Sequence, residues 1–359
     1  MKIFVTKSFM PPLAEYQNYV KRIYESGQLT NQGPLVKELE TKLSDFLGVN
    51  NFHYLTNGTV ALQLALASLD IDGGEVITTP FSYVATTSSI LWQRCKPVFV
   101  DIEPNNFTLA ADKIEAAITP NTKAIMAVHV FGYACDVGAI GKIADKHNLK
   151  VIYDAAHAFG SVYKGKSLLS YGDISTCSFH ATKVFHTIEG GACIVKDKVV
   201  SDKLELKKRF GHNYDQHITL GINAKQSEFH PAMGLAGLPY VAQVIAARKH
   251  ICEIYDAQLA QVVRLPKKQP NLQHNFAYYP IIFKSESELL AVFKALNEQD
   301  IYPRRYFYPS LNTLPYLSES YPCPVSEDIA VRIACLPLYP GLEDKNVLRI
   351  CKIIKEKVE

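Results

Sequence analysis

Between residues 52 and 195 the sequence repeatedly alternates a short apolar segment with a longer segment whose apolar residues recur at helical spacing. The short segments are predicted to be strands at 52–55, 75–79, 97–101, 123–130, 150–154, 174–179 and 192–195. Runs such as Val151-Ile152-Tyr153 lack the polar alternation of a half-exposed strand, so both of their faces should be buried. We therefore expect an α/β fold with a mostly parallel seven-stranded sheet between helices.

Helices before and between these strands are indicated by apolar spacing and by turn residues at their ends. They are predicted at 12–27, 35–46, 59–69, 84–93, 111–117 and 137–146. Because ligands of parallel sheets bind beyond the carboxyl ends of the strands, side chains at those ends are the first candidates for a functional site.

The strand–helix alternation stops after Gly221. The remaining elements are predicted to be a long, mostly helical segment at 236–259 with Pro239 near its start, an extended segment at 276–283, a helix at 286–297 capped by Ser285, an aromatic loop at 302–308 and a last helix at 345–357. The sequence thus predicts a large α/β domain at 1–235, then a bridging helix and a smaller α+β domain at 236–359.

Composition argues against several classes of partner. The formal net charge of the 359 residues is +3 and the basic residues are dispersed, so neither nucleic acid nor a membrane is indicated. The densest basic cluster, Lys207-Lys208-Arg209, is interpreted as a solvated helix face, or as a contact for an anionic substrate. Eight cysteines form no CxxC pair, and signal-peptide and membrane-span patterns are missing, so we expect a cytoplasmic protein without a metal site.

Four sequence features lie at predicted strand ends. The first is a candidate anion-binding turn, and the second is an acidic residue that is expected to be buried. Thr56-Asn57-Gly58-Thr59 joins a strand to a helix, and the free N–H groups at a helix start attract phosphate, although an ordinary helix cap has the same pattern. Asp154 ends a buried strand, where a carboxylate requires a partner. A helix cap or a structural salt bridge would explain Asp154 equally well.

Two further features follow the strands at 75–79 and 174–179. Tyr83, in Phe81-Ser82-Tyr83, is either a packing residue or a ring that covers a planar ligand. Lys183 lies five residues after Ser178, among apolar and small residues that would disfavour its ammonium form and make the amine nucleophilic towards a carbonyl. Taken alone, Lys183 would be interpreted as a surface lysine.

Together the four features match the needs of pyridoxal 5'-phosphate. This cofactor requires a phosphate site, a carboxylate that keeps its ring nitrogen protonated, a stacking ring and a lysine that bonds to its aldehyde. The combination is far more specific than any one feature.

The chain resembles the nucleotide-sugar aminotransferases of the DegT/DnrJ/StrS family along nearly its whole length. The similar segments are Gly27-Gln28-Leu29-Thr30-Asn31-Gln32-Gly33-Pro34, Thr56-Asn57-Gly58-Thr59, Asp154-Ala155-Ala156-His157-Ala158-Phe159-Gly160 and Ser178 to Gly191. The resemblance implies the type I, aspartate aminotransferase-like fold. It is strongest to the members that make dTDP-4-amino-4,6-dideoxy-D-glucose.

The resemblance implies a role for each matching residue. Lys183 would bind pyridoxal phosphate covalently and move the substrate proton, and Asp154 would pair with the ring nitrogen. His157 would approach the ring hydroxyl, at a position that is often glutamine in relatives, and Tyr83 would stack on the ring.

The phosphate of the cofactor would be held by Gly58, Thr59 and Ser178. Asn223 matches a residue that reaches the phosphate of the neighbouring subunit, which implies a homodimer with shared active sites. A purely structural role remains open for two of these residues, since Asn223 could be a loop residue and His157 a helix cap.

The implied reaction is transamination of a nucleotide-linked keto sugar, most simply dTDP-4-keto-6-deoxy-D-glucose, with L-glutamate as donor and pyridoxamine 5'-phosphate as the intermediate form of the cofactor. Such products serve O-antigen or other glycan biosynthesis. Similar sugar 3-dehydratases have histidine in place of the lysine, so Lys183 favours transamination. The flanking His180 and His186 are interpreted as packing or solvent-contact residues, and the arginines of Arg304-Arg305-Tyr306-Phe307-Tyr308 as candidate contacts for the sugar or its diphosphate.

Other functions stay open on the same scaffold: amination at C-3 or of another nucleotide sugar, dehydration, or a regulatory protein without activity. A regulatory protein would be expected to have lost Lys183 or Asp154, and both are present. A nicotinamide dehydrogenase would also suit the strand–helix alternation, but no GxGxxG follows the first strand.

Overall fold

A computed structural model describes residues 2–319 and 321–358. The helices are Leu13–Ser26 (α1), Pro34–Leu47 (α2), Gly58–Ser68 (α3), Ala85–Trp92 (α4), Val137–His147 (α5), Lys198–Lys207 (α6), Phe229–Gly237 (α7), Val241–Leu259 (α8), Glu286–Asn297 (α9), Pro324–Arg332 (α10) and Asp344–Val358 (α11). None of the helices in these ranges combines the length and apolar character needed to cross a membrane.

The strands vary from two to seven residues in length. They are Ile3–Phe4 (β1), Phe52–Leu55 (β2), Glu75–Thr78 (β3), Lys96–Phe99 (β4), Thr122–Val128 (β5), Lys150–Asp154 (β6), Val162–Tyr163 (β7), Lys166–Ser167 (β8), Ile174–Ser178 (β9), Gly191–Val195 (β10), His212–Asn213 (β11), Gln216–His217 (β12), Leu272–Gln273 (β13), Tyr279–Ile282 (β14), Ile301–Tyr302 (β15) and Ile333–Leu336 (β16).

The predicted seven-stranded sheet is confirmed, with the order β2-β10-β9-β6-β5-β3-β4. Only β10 runs antiparallel to its two neighbours, so the other six strands point the same way. All seven strands are buried along almost their whole length, as their continuous apolar character predicts. The carboxyl ends of β2, β3, β5, β6 and β9 therefore meet at one edge of the sheet.

Two predicted helices differ in the structure. Residues 111–117 form two 3₁₀ turns, Ala111–Lys113 and Glu115–Ala117, because a segment this short closes i to i+3 hydrogen bonds such as Ala117 N to Ile114 O. The long helix at 236–259 is interrupted by the 3₁₀ turn Leu238–Tyr240, since Pro239 has no N–H to donate.

The C-terminal part has a core of its own, formed by α8, α9, α11 and the antiparallel pair β14–β16. Helix α8 contributes Val241 to a core beside the large sheet, and Ile251, Tyr255 and Leu259 to the C-terminal core. Strand β1 pairs in parallel with β15, so the amino-terminal segment contacts the C-terminal part of the chain, which sequence analysis does not predict. The domain division at residue 235 stays a prediction.

Candidate active site

A cavity of about 580 Å³ lies at the carboxyl edge of the large sheet. Its walls include seven of the eight residues that the sequence singles out, namely Gly58, Thr59, Tyr83, Asp154, His157, Ser178 and Lys183. These residues come from the ends of β2, β3, β6 and β9 and from the segments that follow them. The sheet therefore brings together segments that are up to 125 residues apart in the chain, from Gly58 to Lys183.

The turn from β2 into α3 leaves free donors at one end of the cavity. Asn57 caps α3 by accepting a 2.9 Å hydrogen bond from the Val60 N–H. The N–H groups of Gly58 and Thr59 precede the first intrahelical hydrogen bond, so they are free to meet an anion. The turn is also tightly packed: a Cβ on Gly58 would lie 2.9 Å from the Ser178 Cβ, so glycine is what allows the serine hydroxyl to approach the helix start.

Asp154 is the last residue of β6 and is buried. Its Oδ2 accepts a 2.8 Å hydrogen bond from the Thr86 hydroxyl, and its Oδ1 accepts one of 3.1 Å from the Ala156 N–H. Burial raises the pKa of this carboxyl, while the two hydrogen bonds and the charge of Lys183 act in the opposite direction. A cationic N–H donor in the cavity would therefore be a favourable partner for Asp154.

Lys183 lies in the turn after β9, whose backbone is fixed by hydrogen bonds from Lys183 N to His180 O and from Thr187 N to Phe179 O. Its surroundings lower the pKa of the amine, mainly by desolvation, against the opposing charge of Asp154. Among the residues that the structure describes, no carboxylate lies within salt-bridge distance of Lys183. The lowered pKa makes the neutral, nucleophilic amine easier to form at this position than at an exposed lysine.

The ring of His157 packs beside two phenylalanines, which also stack on each other with ring centroids 5.6 Å apart. It lies nearly parallel to Phe131 and Phe307, with ring centroids 6.1 and 5.6 Å away, and Tyr278 packs at 4.8 Å. Burial lowers the pKa of His157 well below its usual value, and the charge of Lys183 lowers it further, so the ring is neutral. Because Nδ1 accepts a hydrogen bond from the Phe131 N–H, the ring proton is assigned to Nε2, which makes Nε2 a donor.

The outer wall of the cavity is aromatic. Tyr83 is 62% exposed at this wall, while Tyr278, Tyr306 and Phe307 approach from the C-terminal part of the chain. The loop at 302–308 thus contributes Tyr306 and Phe307 to the cavity wall, and the role of its arginines towards a sugar or diphosphate stays a prediction. Arg305 turns away to bond with Glu286 and the Val331 carbonyl, and neither arginine lines the cavity.

The remaining predicted residues lie outside the cavity or at its margin. Asn223 is exposed and accepts a 2.7 Å hydrogen bond from Lys225, so its role towards a neighbouring subunit stays a prediction. His180 is exposed at the cavity wall, and His186 is buried against the Phe9 carbonyl at 2.7 Å. Packing therefore explains His186, as the sequence interpretation supposed.

Sequence reasoning missed Thr86 and Tyr278. The signal for Thr86 was present, because four consecutive hydroxyl residues, 86–89, interrupt an otherwise apolar helix, and buried hydroxyls need partners. Tyr278 carried no comparable signal, since it lies in an ordinary apolar strand segment.

The arrangement fits pyridoxal 5'-phosphate. A helix start with free N–H groups and a serine hydroxyl suits the phosphate, a buried acid suits the ring nitrogen, and a desolvated lysine suits the aldehyde. The close approach of Gly58 to Ser178 is a feature that any side chain at position 58 would abolish.

Comparison with known proteins agrees with this geometry. The model of the DegT/DnrJ/EryC1/StrS aminotransferase family matches residues 13–355. The dTDP-4-amino-4,6-dideoxy-D-glucose transaminase of Shigella dysenteriae is 42% identical over 99% of this chain and 98% of its own length.

Solved structures show the same fold. A crystal structure of DesI in the presence of its TDP-sugar product has a TM-score of 0.94 and 30% identity, covering 99% of this chain and 92% of DesI. The PLP form of the sugar aminotransferase Spr1654 from Streptococcus pneumoniae, described as putative, has a TM-score of 0.91 and 26% identity, with 98% of each chain covered. The fold is therefore the type I fold of pyridoxal phosphate-dependent sugar aminotransferases, and the chain belongs to the DegT/DnrJ/EryC1/StrS aminotransferase family.

Proposed function

We propose that this protein transfers the amino group of L-glutamate to C-4 of dTDP-4-keto-6-deoxy-D-glucose, giving dTDP-4-amino-4,6-dideoxy-D-glucose. The observation that carries the proposal is the convergence of a desolvated lysine, a buried acid and an anion-binding helix start on one cavity. The choice of sugar is supported by the relative from Shigella dysenteriae, which carries the name of this activity and matches nearly the whole chain.

Bound pyridoxal 5'-phosphate would supply an electron-withdrawing ring and would carry the amino group between the two substrates. Lys183 would bond to its aldehyde carbon and, once displaced by an amino substrate, would use the free Nζ to remove and return a proton at the reacting carbon. The lowered pKa of Lys183 suits this work, because a permanently charged ammonium cannot accept a proton.

The other cavity residues would hold the cofactor in one orientation. The Gly58 and Thr59 N–H groups and the Ser178 hydroxyl would bind the phosphate, and Asp154 would bind the protonated ring nitrogen. His157 would donate its Nε2 proton to the ring oxygen, and the exposed ring of Tyr83 would cover the face of the cofactor.

We further propose that the active enzyme is a homodimer in which Asn223 of one subunit approaches the phosphate bound by the other. Two observations support this. Asn223 is exposed and lies outside its own cavity, and several large apolar side chains near it, including Tyr214 and Leu220, are almost fully exposed. Measurement of mass in solution by light scattering tests the dimer, and a monomeric active enzyme would contradict it.

The experiment that tests the reaction is incubation with dTDP-4-keto-6-deoxy-D-glucose and L-glutamate, followed by NMR of the product. We expect an amine at C-4, release of 2-oxoglutarate and ping-pong kinetics. An amine at C-3, or faster conversion of another nucleotide sugar, would reassign the substrate. Loss of water without glutamate would indicate a dehydratase, and failure to convert any nucleotide sugar would favour the regulatory alternative.

A further inference from the structure

Helix α4 buries an unusual number of hydroxyl groups. Thr86, Thr87 and Ser89 are each fully buried, although burying a hydroxyl is unfavourable unless it forms a hydrogen bond. Ser89 donates to the Thr86 carbonyl of its own helix. Within the described residues, the Thr87 hydroxyl has no hydrogen-bond partner, whereas that of Thr86 has two, and both lie towards the cavity.

The two hydrogen bonds of Thr86 have a defined direction when Asp154 is ionised. A carboxylate only accepts, so the single hydroxyl proton of Thr86 must point to Asp154 Oδ2, 2.8 Å away. The Ser82 hydroxyl, 2.8 Å from Thr86 Oγ1, must then donate to Thr86. The result is a chain of two aligned dipoles that ends on the carboxylate, and aligned hydrogen bonds reinforce one another.

We propose that Thr86 is a positioning residue which, with Ser82 behind it, keeps the Asp154 carboxylate ionised and aimed into the cavity. What the carboxylate meets there, the ring nitrogen of pyridoxal phosphate, rests on the proposed function. The link between the two hydroxyls and Asp154 belongs to the chain itself and is present without a cofactor.

The hydrogen bond from Thr86 is important because few charged groups near Asp154 could stabilise its ionised form. On the elements packed around it, α3 and α4 carry no ionisable side chain and those of α5 face solvent or are only partly buried. The nearby groups are Lys183 after β9, Cys177 on β9, Cys135 after β5 and the neutral His129 and His157. Among the described residues near Asp154, Lys183 is the one that can supply a positive charge, and its ammonium form is lost when the amine bonds to an aldehyde.

In the protein without cofactor, Thr86 and the Ala156 N–H are the hydrogen-bond donors that this chain offers to Asp154. Hydrogen bonding to the charged form of an acid lowers its pKa. Without Thr86, the buried carboxyl would take up a proton at higher pH and could no longer stabilise a protonated ring nitrogen.

The test begins with the protein free of cofactor. Infrared titration follows the carbonyl stretch of protonated carboxyl groups, and the band lost in Asp154→Asn identifies Asp154. We expect Thr86→Val to raise the pH at which this band appears, and Ser82→Ala to raise it by less. Thr86→Ser, which keeps the hydroxyl, should restore the wild-type value.

Thr87→Val is the matched control, since Thr87 is equally buried one residue away and its hydroxyl bonds to nothing in the described residues. Equal titrations in Thr86→Val and Thr87→Val would overturn the proposal. Should Thr86→Val fail to fold, an unchanged titration in Ser82→Ala would overturn it instead.

A second readout is the affinity for pyridoxal 5'-phosphate, measured by quenching of tyrosine and tryptophan fluorescence. A hydrogen bond to a charged group predicts a loss of about ten- to a hundredfold in Thr86→Val and no loss in Thr87→Val. Equal affinities in the two variants would contradict the proposal. If the wild-type protein bound no pyridoxal phosphate, the proposed function would fail, while the infrared titration would still decide the role of Thr86.

Discussion

Two lysines that the protein shields from water, one fully and one partly, have opposite surroundings. Lys208, at the end of α6, is 1% exposed and lies 2.8 Å from Glu205 and 3.3 Å from Glu40. Lys183 lines the cavity without a carboxylate within salt-bridge distance, among the described residues, and its pKa is lowered chiefly by desolvation. Lys208 is thus a paired charge between structural elements, whereas Lys183 loses its proton more readily than an ordinary lysine.

The network around Lys208 shows how buried charges are kept ionised. Burial by itself would raise the pKa of Glu205, but His53, Lys208 and Gln32 together lower it to about 2. His53 also bonds to Ser201, so the network ties β2 to α6. A desolvated ionisable group that has oppositely charged partners stays ionised and stabilises the fold. A desolvated group without such partners has a shifted pKa and becomes more reactive.

The largest expected effect follows from removing the reactive lysine. Lys183→Met should lower the rate of amino-sugar formation by roughly 10²–10⁴-fold or more, because the variant loses its proton-transfer group. The rate is measured by coupled detection of 2-oxoglutarate. The unfolding free energy should not fall, since no ion pair is lost, and wild-type turnover in this variant would contradict the role of Lys183.

The matched substitution in the other region should have the reverse outcome. Lys208→Met removes the buried cation that lies between Glu40 and Glu205, which predicts a loss of up to about 3 kcal/mol of unfolding free energy, since Arg209 and His53 still approach Glu205. Urea denaturation measures this loss. The affinity of the folded variant for pyridoxal phosphate should be unchanged; a stable protein with impaired cofactor binding would break the comparison.

The dependence of stability on pH should report the same network. Because the folded pKa of Glu205 is about 2 and its ordinary value is 4.5, its ionised form stabilises the fold above pH 4.5, and this stabilisation is lost as the pH falls towards 2. Glu205→Gln should therefore cost at most about 3 kcal/mol near neutral pH. The difference between wild type and variant should fall by more than half between about pH 5 and about pH 3. A difference that does not depend on pH would contradict the assignment.

The smallest effect is expected at the exposed side of the cavity. Tyr83→Ala should weaken the binding of pyridoxal phosphate by about 1 kcal/mol, since a stacked ring contributes little beyond its buried area. Tyr83→Phe keeps the ring and should bind like the wild type. A large loss in Tyr83→Phe would mean that the hydroxyl, not the ring, makes the contact.

Much of this architecture could be predicted from local patterns. The strand at 150–154 and the helix at 286–297 were predicted with the bounds that the structure has, because apolar runs and the Ser285 cap are local signals. Sheet geometry predicted that four strand-end segments meet at one edge, and the family resemblance implied which of their residues face the cofactor; seven of these line the cavity.

The errors arise where the environment, not the local sequence, decides. The interpretation of Lys207-Lys208-Arg209 as a solvated helix face is wrong for Lys208, whose burial depends on partners up to 168 residues away. The arginines at 304 and 305 were candidates for phosphate contacts on chemistry alone; that role stays a prediction, and the bond of Arg305 to Glu286 on α9 was not predicted. The residues adjacent to Lys208 and Arg305 in the sequence do not indicate that these side chains pair with Glu40 and Glu286.

The contrast between Lys183 and Lys208 is tested most directly by finding which lysine forms a covalent bond with pyridoxal 5'-phosphate. The protein is incubated with pyridoxal 5'-phosphate, reduced with borohydride, digested and examined by mass spectrometry. The account predicts that the added mass is found on Lys183 at one equivalent per chain and that Lys208 is unmodified. Modification spread over surface lysines, with Lys183 unlabelled, would contradict it.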